Sequence, residues 1–194
     1  EIKAIRSNLG IKDEYVVITT SRLVHKNGID ILIEAVAEFK KRRPNIKCLI
    51  IGDGPEFDKL KAQSRKLKVD NNVLFLGQVP HKDLPLYLKI SDVFVRPSRS
   101  EGLGNSFLEA MMAGIPIIGT SVGGIVDFLR DEETGFYVAV DNCIDLSNKI
   151  SYVVGNPDLR KKVVRNASVL VKENYSWDRV SKLFRNIFNK LINE

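Results

Sequence analysis

Six short runs of apolar, mostly β-branched residues recur along the chain, and stretches with helical spacing separate them. The runs are YVVITTS (15–21), KCLIIG (47–52), VLFLG (73–77), DVFVRPS (92–98), IPIIGTS (115–121) and GFYVAV (135–140). They do not alternate apolar with polar residues, so both faces of each strand must be covered, which is the condition of a parallel sheet. Between them DILIEAVAEFKKR, EFDKLKAQSRKLK, HKDLPLYLKIS, NSFLEAMMAG and GIVDFLRDE carry apolar residues at helical intervals. Strand and helix in alternation predict an α/β fold: a Rossmann-like, doubly wound parallel sheet of about six strands with helices on both faces. After residue 141 the strands stop, and residues 142–194 read as C-terminal helices. NPDL starts one of them. SWDRVSKLFRNIFNKLI is the last, with Trp177, Val180, Leu183, Phe184, Ile187, Phe188 and Leu191 in one apolar stripe that should be buried against something.

At 194 residues, 44% hydrophobic and 28% charged, the chain is expected to form a single domain whose core needs no disulfide or metal. No apolar run approaches the ~18 residues of a membrane span. The opening EIKAIRSNLGIKDEYVV lacks the layout of a secretory leader, and two distant cysteines, Cys48 and Cys143, suit a reducing setting. A cytoplasmic location follows as the expectation, with Cys48 a small buried hydrophobe inside its strand. Net charge is +6, and residues 151–194 hold +5 of it, nine Lys or Arg against four Asp or Glu. Those positives are mixed with acids and asparagines and lack interleaved aromatics, so no nucleic-acid partner is expected. A solvated face, or contact with the inner face of a membrane, remains. FKKRRP reads as a basic helix C-terminus before proline.

In open α/β sheets ligands bind beyond the carboxyl ends of the strands, so the residues after each run are the ones to read. After the first strand come Arg22 and Lys26, two cations able to neutralise a phosphate or pyrophosphate; Lys26 and Asn27 can equally be the start of a helix. The second strand opens into GDGPEF, where Gly52 and Gly54 permit close backbone approach. Phe57 stands where a dinucleotide fingerprint needs a third small residue. GLGNSF (102–107) repeats that pattern ahead of a helix whose first amides, on Asn105 and Ser106, can face an anion. GIPIIGTS has Thr120 where a P-loop needs lysine, which excludes an ATPase of that kind. His25, His81, Cys48 and Cys143 are isolated, so no zinc site is expected, and no Gly-x-Ser-x-Gly elbow occurs. Glycine turns, two cations and the glutamates Glu101 and Glu109 at strand ends fit a phosphorylated, hydroxyl-rich ligand.

Taken together, SRLVHKNGIDILIEA, IIGDGPEFDKL, LFLGQV, DVFVRPSRSEGLGNSFLEAMMAGIPIIGTSVGG and ETGFYV resemble the donor-binding C-terminal domain of the family-four retaining glycosyltransferases, one half of a GT-B fold. The resemblance runs from about residue 13 to residue 141; residues 1–12 resemble the entering helix and linker, and YSWDRVSKLFRNIF the closing helix. It implies transfer of a hexose-type sugar from a nucleotide-diphosphate sugar to a saccharide or lipid-linked acceptor, in glycan or polysaccharide synthesis. Glu101 then lies beside the transferred sugar, Arg22 stabilises the leaving pyrophosphate, and Glu109 accepts from the ribose hydroxyls. Lys26, Asn27, Gly54, Gln78, Val79, Gly102, Leu103, Gly104, Asn105 and Ser106 complete the implied donor-binding set. Where such enzymes have a lysine five residues after the arginine, this chain has Asn27, with Lys26 one position early. The family's habit implies no cofactor and no metal, cations and helix amides standing in for a divalent ion. The family's N-terminal acceptor-binding domain has no counterpart in these residues. The alternatives are a non-catalytic module of the same fold that makes protein contacts, or another GT-B enzyme such as a sugar-nucleotide epimerase or a glycogen phosphorylase relative.

Overall fold

The six apolar runs form one all-parallel sheet. The protein is described by a computed structural model over residues 2–192. Its strands are β1 (Tyr15–Thr20), β2 (Ile46–Ile51), β3 (Val73–Gly77), β4 (Val93–Arg96), β5 (Ile117–Thr120) and β6 (Phe136–Val138), in the order β3-β2-β1-β4-β5-β6. The chain winds outward from β1 to β3, then crosses back to place β4 on the other side of β1 and winds outward again. The crossing leaves a crevice at the carboxyl ends of β1 and β4, the switch point where doubly wound sheets bind ligands.

The helices are α1 (Ile2–Asn8), α2 (Ile29–Arg42), α3 (Phe57–Lys66), α4 (Leu84–Lys89), α5 (Asn105–Ala113), α6 (Cys143–Gly155), α7 (Pro157–Asn174) and α8 (Trp177–Ile192). Val17 of β1 joins a core with Leu32, Val36 and Phe39 of α2, Leu60 of α3 and Ile150 of α6. Its neighbours Val16 and Ile18 join a second core with Leu88 of α4, Phe107 and Met111 of α5 and Val171 of α7. Successive strand residues point to opposite faces, and two apolar cores explain why the runs are continuous. Each fully buried Leu, Ile or Phe contributes ~1.5–3 kcal/mol, so these layers dominate the stability. Cys48 is fully buried in β2, and burial pushes its thiol up to about 12, as suits a packing residue.

Two elements differ from what the sequence predicts. GIVDFLRDE forms a 3-10 turn, Gly123–Asp127, because adjacent glycines disfavour an α-helix and Gly123 takes a positive φ of 53°. The α8 stripe, expected to be buried, is exposed: Trp177 84%, Phe184 58% and Leu191 65%. By the time the chain reaches α8, both faces of the sheet are already covered by earlier helices.

Candidate functional site

Arg22 leaves β1 at the switch point, in the turn that leads to Gly28 and α2. A 3-10 turn, His25–Asn27, occupies the connection, and Gly28 ends it with φ 68° before α2 begins. A methyl group on Gly28 would fall on the Pro97 carbonyl, so only glycine lets this loop close against the end of β4. The Lys26 carbonyl accepts the Arg99 amide at 2.7 Å, which stitches the same two loops together. Arg99 adds a fork to Asp30 at the head of α2, with Nη1 and Nη2 at 2.9 and 2.7 Å from its carboxylate oxygens. Its Nε pairs with Asp141 beyond β6 at 2.6 Å.

A cavity of about 430 Å³ opens beside this turn, lined by Thr20, Ser21, Arg22, Gly52, Gln78, Val79 and Glu109 among others. Four of the residues expected around a sugar donor, Arg22, Gln78, Val79 and Glu109, therefore meet from the ends of β1 and β3 and from α5. Among the described residues the Arg22 guanidinium makes no hydrogen bond or ion pair, and the side chain is exposed. It is a cation held ready at the mouth of a crevice. A roomier cavity, about 720 Å³, lies among Arg6, Tyr15, Arg42 and Asp92 at the amino end of β1; none of the expected residues lines it.

Glu109 sits on α5 and is about one-third exposed, with Oε1 at 3.1 Å from His81 Nε2. His81, at the start of the segment leading to α4, is a partner that the sequence did not reveal. Glu101, in the loop after β4, has a side chain only 8% exposed, and Arg96 forms an ion pair with its Oε2. The other carboxylate oxygen accepts the Gly102 amide at 3.1 Å. The turn at Gly123 packs on the Glu101 backbone so closely that a side chain at Gly123 would collide with the Glu101 carbonyl. The Gly124 amide then donates to the Gly102 carbonyl at 2.9 Å. The loop that carries Glu101 is thus clamped on two sides.

Gly102 and Leu103 are exposed, Gly104 directly precedes α5, and Asn105 and Ser106 are its first residues. Phe107, the residue that breaks the dinucleotide pattern, is fully buried against Phe94 (5.1 Å between ring centroids) and Phe128 (5.8 Å). It anchors the start of α5, whose first amides have no partner in the preceding turn of helix and whose N-terminus carries the positive dipole end. Lys26 is exposed and outside the cavity lining, whereas Asn27 is buried. Gly54 has a structural reason to be glycine: its Cα packs on the Leu23 backbone, and its amide donates to Asp53 Oδ1 at 2.7 Å.

Arg96, the last residue of β4, joins the site although its place in the sequence marks it only as the end of an apolar run. It is 8% exposed and donates from Nη1 to Ser106 Oγ at 2.8 Å and from Nη2 to Asn27 Oδ1 at 3.1 Å, besides pairing with Glu101. Burial pulls its guanidinium below its ordinary value and Glu101 works against that pull; an arginine stays charged regardless. A charged residue closing an otherwise apolar strand was the available signal.

The family model for glycosyl transferases group 1 matches residues 1–169. A glycosyltransferase of Methanocaldococcus jannaschii is 34% identical over 184 residues, covering 94% of this chain and 47% of that protein. The alpha-monoglucosyldiacylglycerol synthase of Acholeplasma laidlawii is 29% identical, covering all of this chain and 48% of that one. Among solved structures, Anabaena HepE in complex with UDP and glucose superposes with a TM-score of 0.88 at 26% identity, over 100% of this chain and 52% of its own. The chain spans about half the length of the relatives it matches.

Proposed function

Since the chain belongs to the group 1 glycosyl transferases, we propose that it supplies the sugar-donor half of a retaining, metal-independent enzyme that moves a hexose-type sugar from a nucleotide-diphosphate sugar. The observation that carries this reading is the meeting of Arg22, Gln78, Val79 and Glu109 around one cavity at the switch point. In the proposed assignment the loop after β3 holds the base and Glu109 takes the ribose hydroxyls, exchanging its solvent-exposed contact with His81 for them. Arg22 and the amides at the head of α5 face the pyrophosphate. Negative charge grows on the leaving phosphate during transfer, so a preplaced guanidinium and helix dipole stabilise the transition state more than the ground state. These cationic groups do the work that a divalent ion does elsewhere. Glu101, clamped at the end of β4, stands at the sugar. The structure of the Anabaena neighbour in complex with UDP-glucose supports a donor of this class.

The acceptor side belongs to an N-terminal half outside these residues, and a lipid-linked saccharide or polysaccharide is the proposed acceptor class. A lipid-directed relative and the basic C-terminal end support peripheral contact at the inner membrane face. Binding to anionic vesicles that weakens as salt rises is the expected result, and binding indifferent to salt would count against it. For the donor site, calorimetric titration of the chain with UDP, GDP, ADP and their sugars is the direct test. At least one should bind; silence from all of them at millimolar concentration would remove the proposal.

A further inference from the structure

Asn27 stands where the family resemblance places a lysine, one position after Lys26, and a different cation, Arg96, occupies its surroundings. Asn27, at the lysine's place, is 2% exposed; its Nδ2 donates to the Arg22 carbonyl at 2.6 Å and its Oδ1 accepts from Arg96 at 3.1 Å. Arg96 reaches that point from β4, the strand paired directly with β1. One guanidinium, about nine-tenths buried, therefore touches the Arg22 turn through Asn27, the head of α5 through Ser106, and Glu101 directly. Its Nε is buried and, among the described residues, has no hydrogen-bond partner.

Glu101 poses the electrostatic problem that this arrangement answers. A buried carboxylate beside a diphosphate would repel it, and a like-charge contact of this kind costs much more in a desolvated crevice than in water. With asparagine in the lysine's place, the β1 turn presents Arg22 to the cavity while Lys26 lies outside its lining, and among the described residues neither pairs with Glu101. We infer that Arg96 is a positioning residue of the transfer site, which neutralises Glu101 and holds it at the sugar so that a nucleotide diphosphate can bind next to a carboxylate. This rests on the sugar-donor reading given above. Arg96 acts through Glu101, so its loss should be felt through the exposed charge of Glu101 and should be repaired when that charge is removed.

The test is titration of the chain with UMP and UDP, and with GMP and GDP, in Arg96→Met, Arg96→Lys and the double variant Arg96→Met/Glu101→Gln, with a thermal melt of each. Arg96→Met should weaken the diphosphate by about tenfold or more and the monophosphate by less than about threefold. The double variant should return the diphosphate to within about threefold of wild type, and Arg96→Lys, which keeps the charge, should stay in the same range. A double variant as weak as Arg96→Met would mean that Arg96 serves the phosphate itself, and equal weakening of both nucleotides would mean a merely structural role; either overturns the inference. Should Arg96→Met not fold, Arg96→Lys and the double variant still decide, because both must then retain the diphosphate preference. If the unaltered chain binds none of these nucleotides, the sugar-donor reading falls first and this inference with it.

Discussion

Glu101 and Glu109 stand eight residues apart and occupy opposite environments: one buried against Arg96, the other about one-third exposed and lining the cavity. Their spacing was legible in the sequence; their difference was not, because it depends on Arg96 and His81, which lie elsewhere along the chain. Hydrogen bonds to a charged group contribute ~1.5–3 kcal/mol, so Glu109→Ala should weaken nucleotide binding by about tenfold or more. Glu101→Ala should weaken it less, and calorimetry giving the reverse order would contradict the assignment of ribose to Glu109. Asp30 has a lowered carboxyl that ties stability to pH. Burial pushes its carboxyl upward, but the hydrogen bond and charge of Arg99 outweigh that and hold it below its ordinary value. A carboxyl lowered on folding binds its proton more readily in the unfolded chain. Its contribution to stability is therefore complete above the unfolded value of ~3.9 and disappears as pH falls through it toward the lower folded value. Acid titration of the melting temperature should show a loss in that window that Asp30→Asn reduces.

At the scale of elements, the strands were readable because each is apolar on both faces, and the helices because their burial repeats at helical intervals. The 3-10 turn at Gly123–Asp127 was not, since FL in GIVDFLRDE mimics a helical stripe while the two glycines answer to the Glu101 loop beside them. Gly28 belongs to the same class: its turn is set by the end of β4, 69 residues away at Pro97. Gly28→Ala combines a positive φ with a collision against a backbone carbonyl, so it should cost at least about 2 kcal/mol, seen as a lower denaturant midpoint with an unchanged slope. Arg96 escaped notice for a related reason. Its partners Asn27 and Ser106 lie 69 and 10 residues away, and only the β1–β4 pairing brings them to one point.

For the whole molecule, the alternating runs implied a doubly wound sheet, and the observed order β3-β2-β1-β4-β5-β6 adds where the crevice falls. Strand order is a property of long-range pairing, which no local pattern encodes. The exposed face of α8 is the other feature read correctly as amphipathic yet left uncovered in this chain, which spans about half of its relatives. The switch point divides the chain's path through the sheet into a wing of β1 to β3 and a wing of β4 to β6, joined by the β1–β4 pairing. Arg99, rising from the loop after β4, grips Asp30 on the first wing and Asp141 at the far end of the second. Neither wing can loosen at its ligand-facing rim without breaking that three-way pairing, so the wings are expected to unfold together in one cooperative transition.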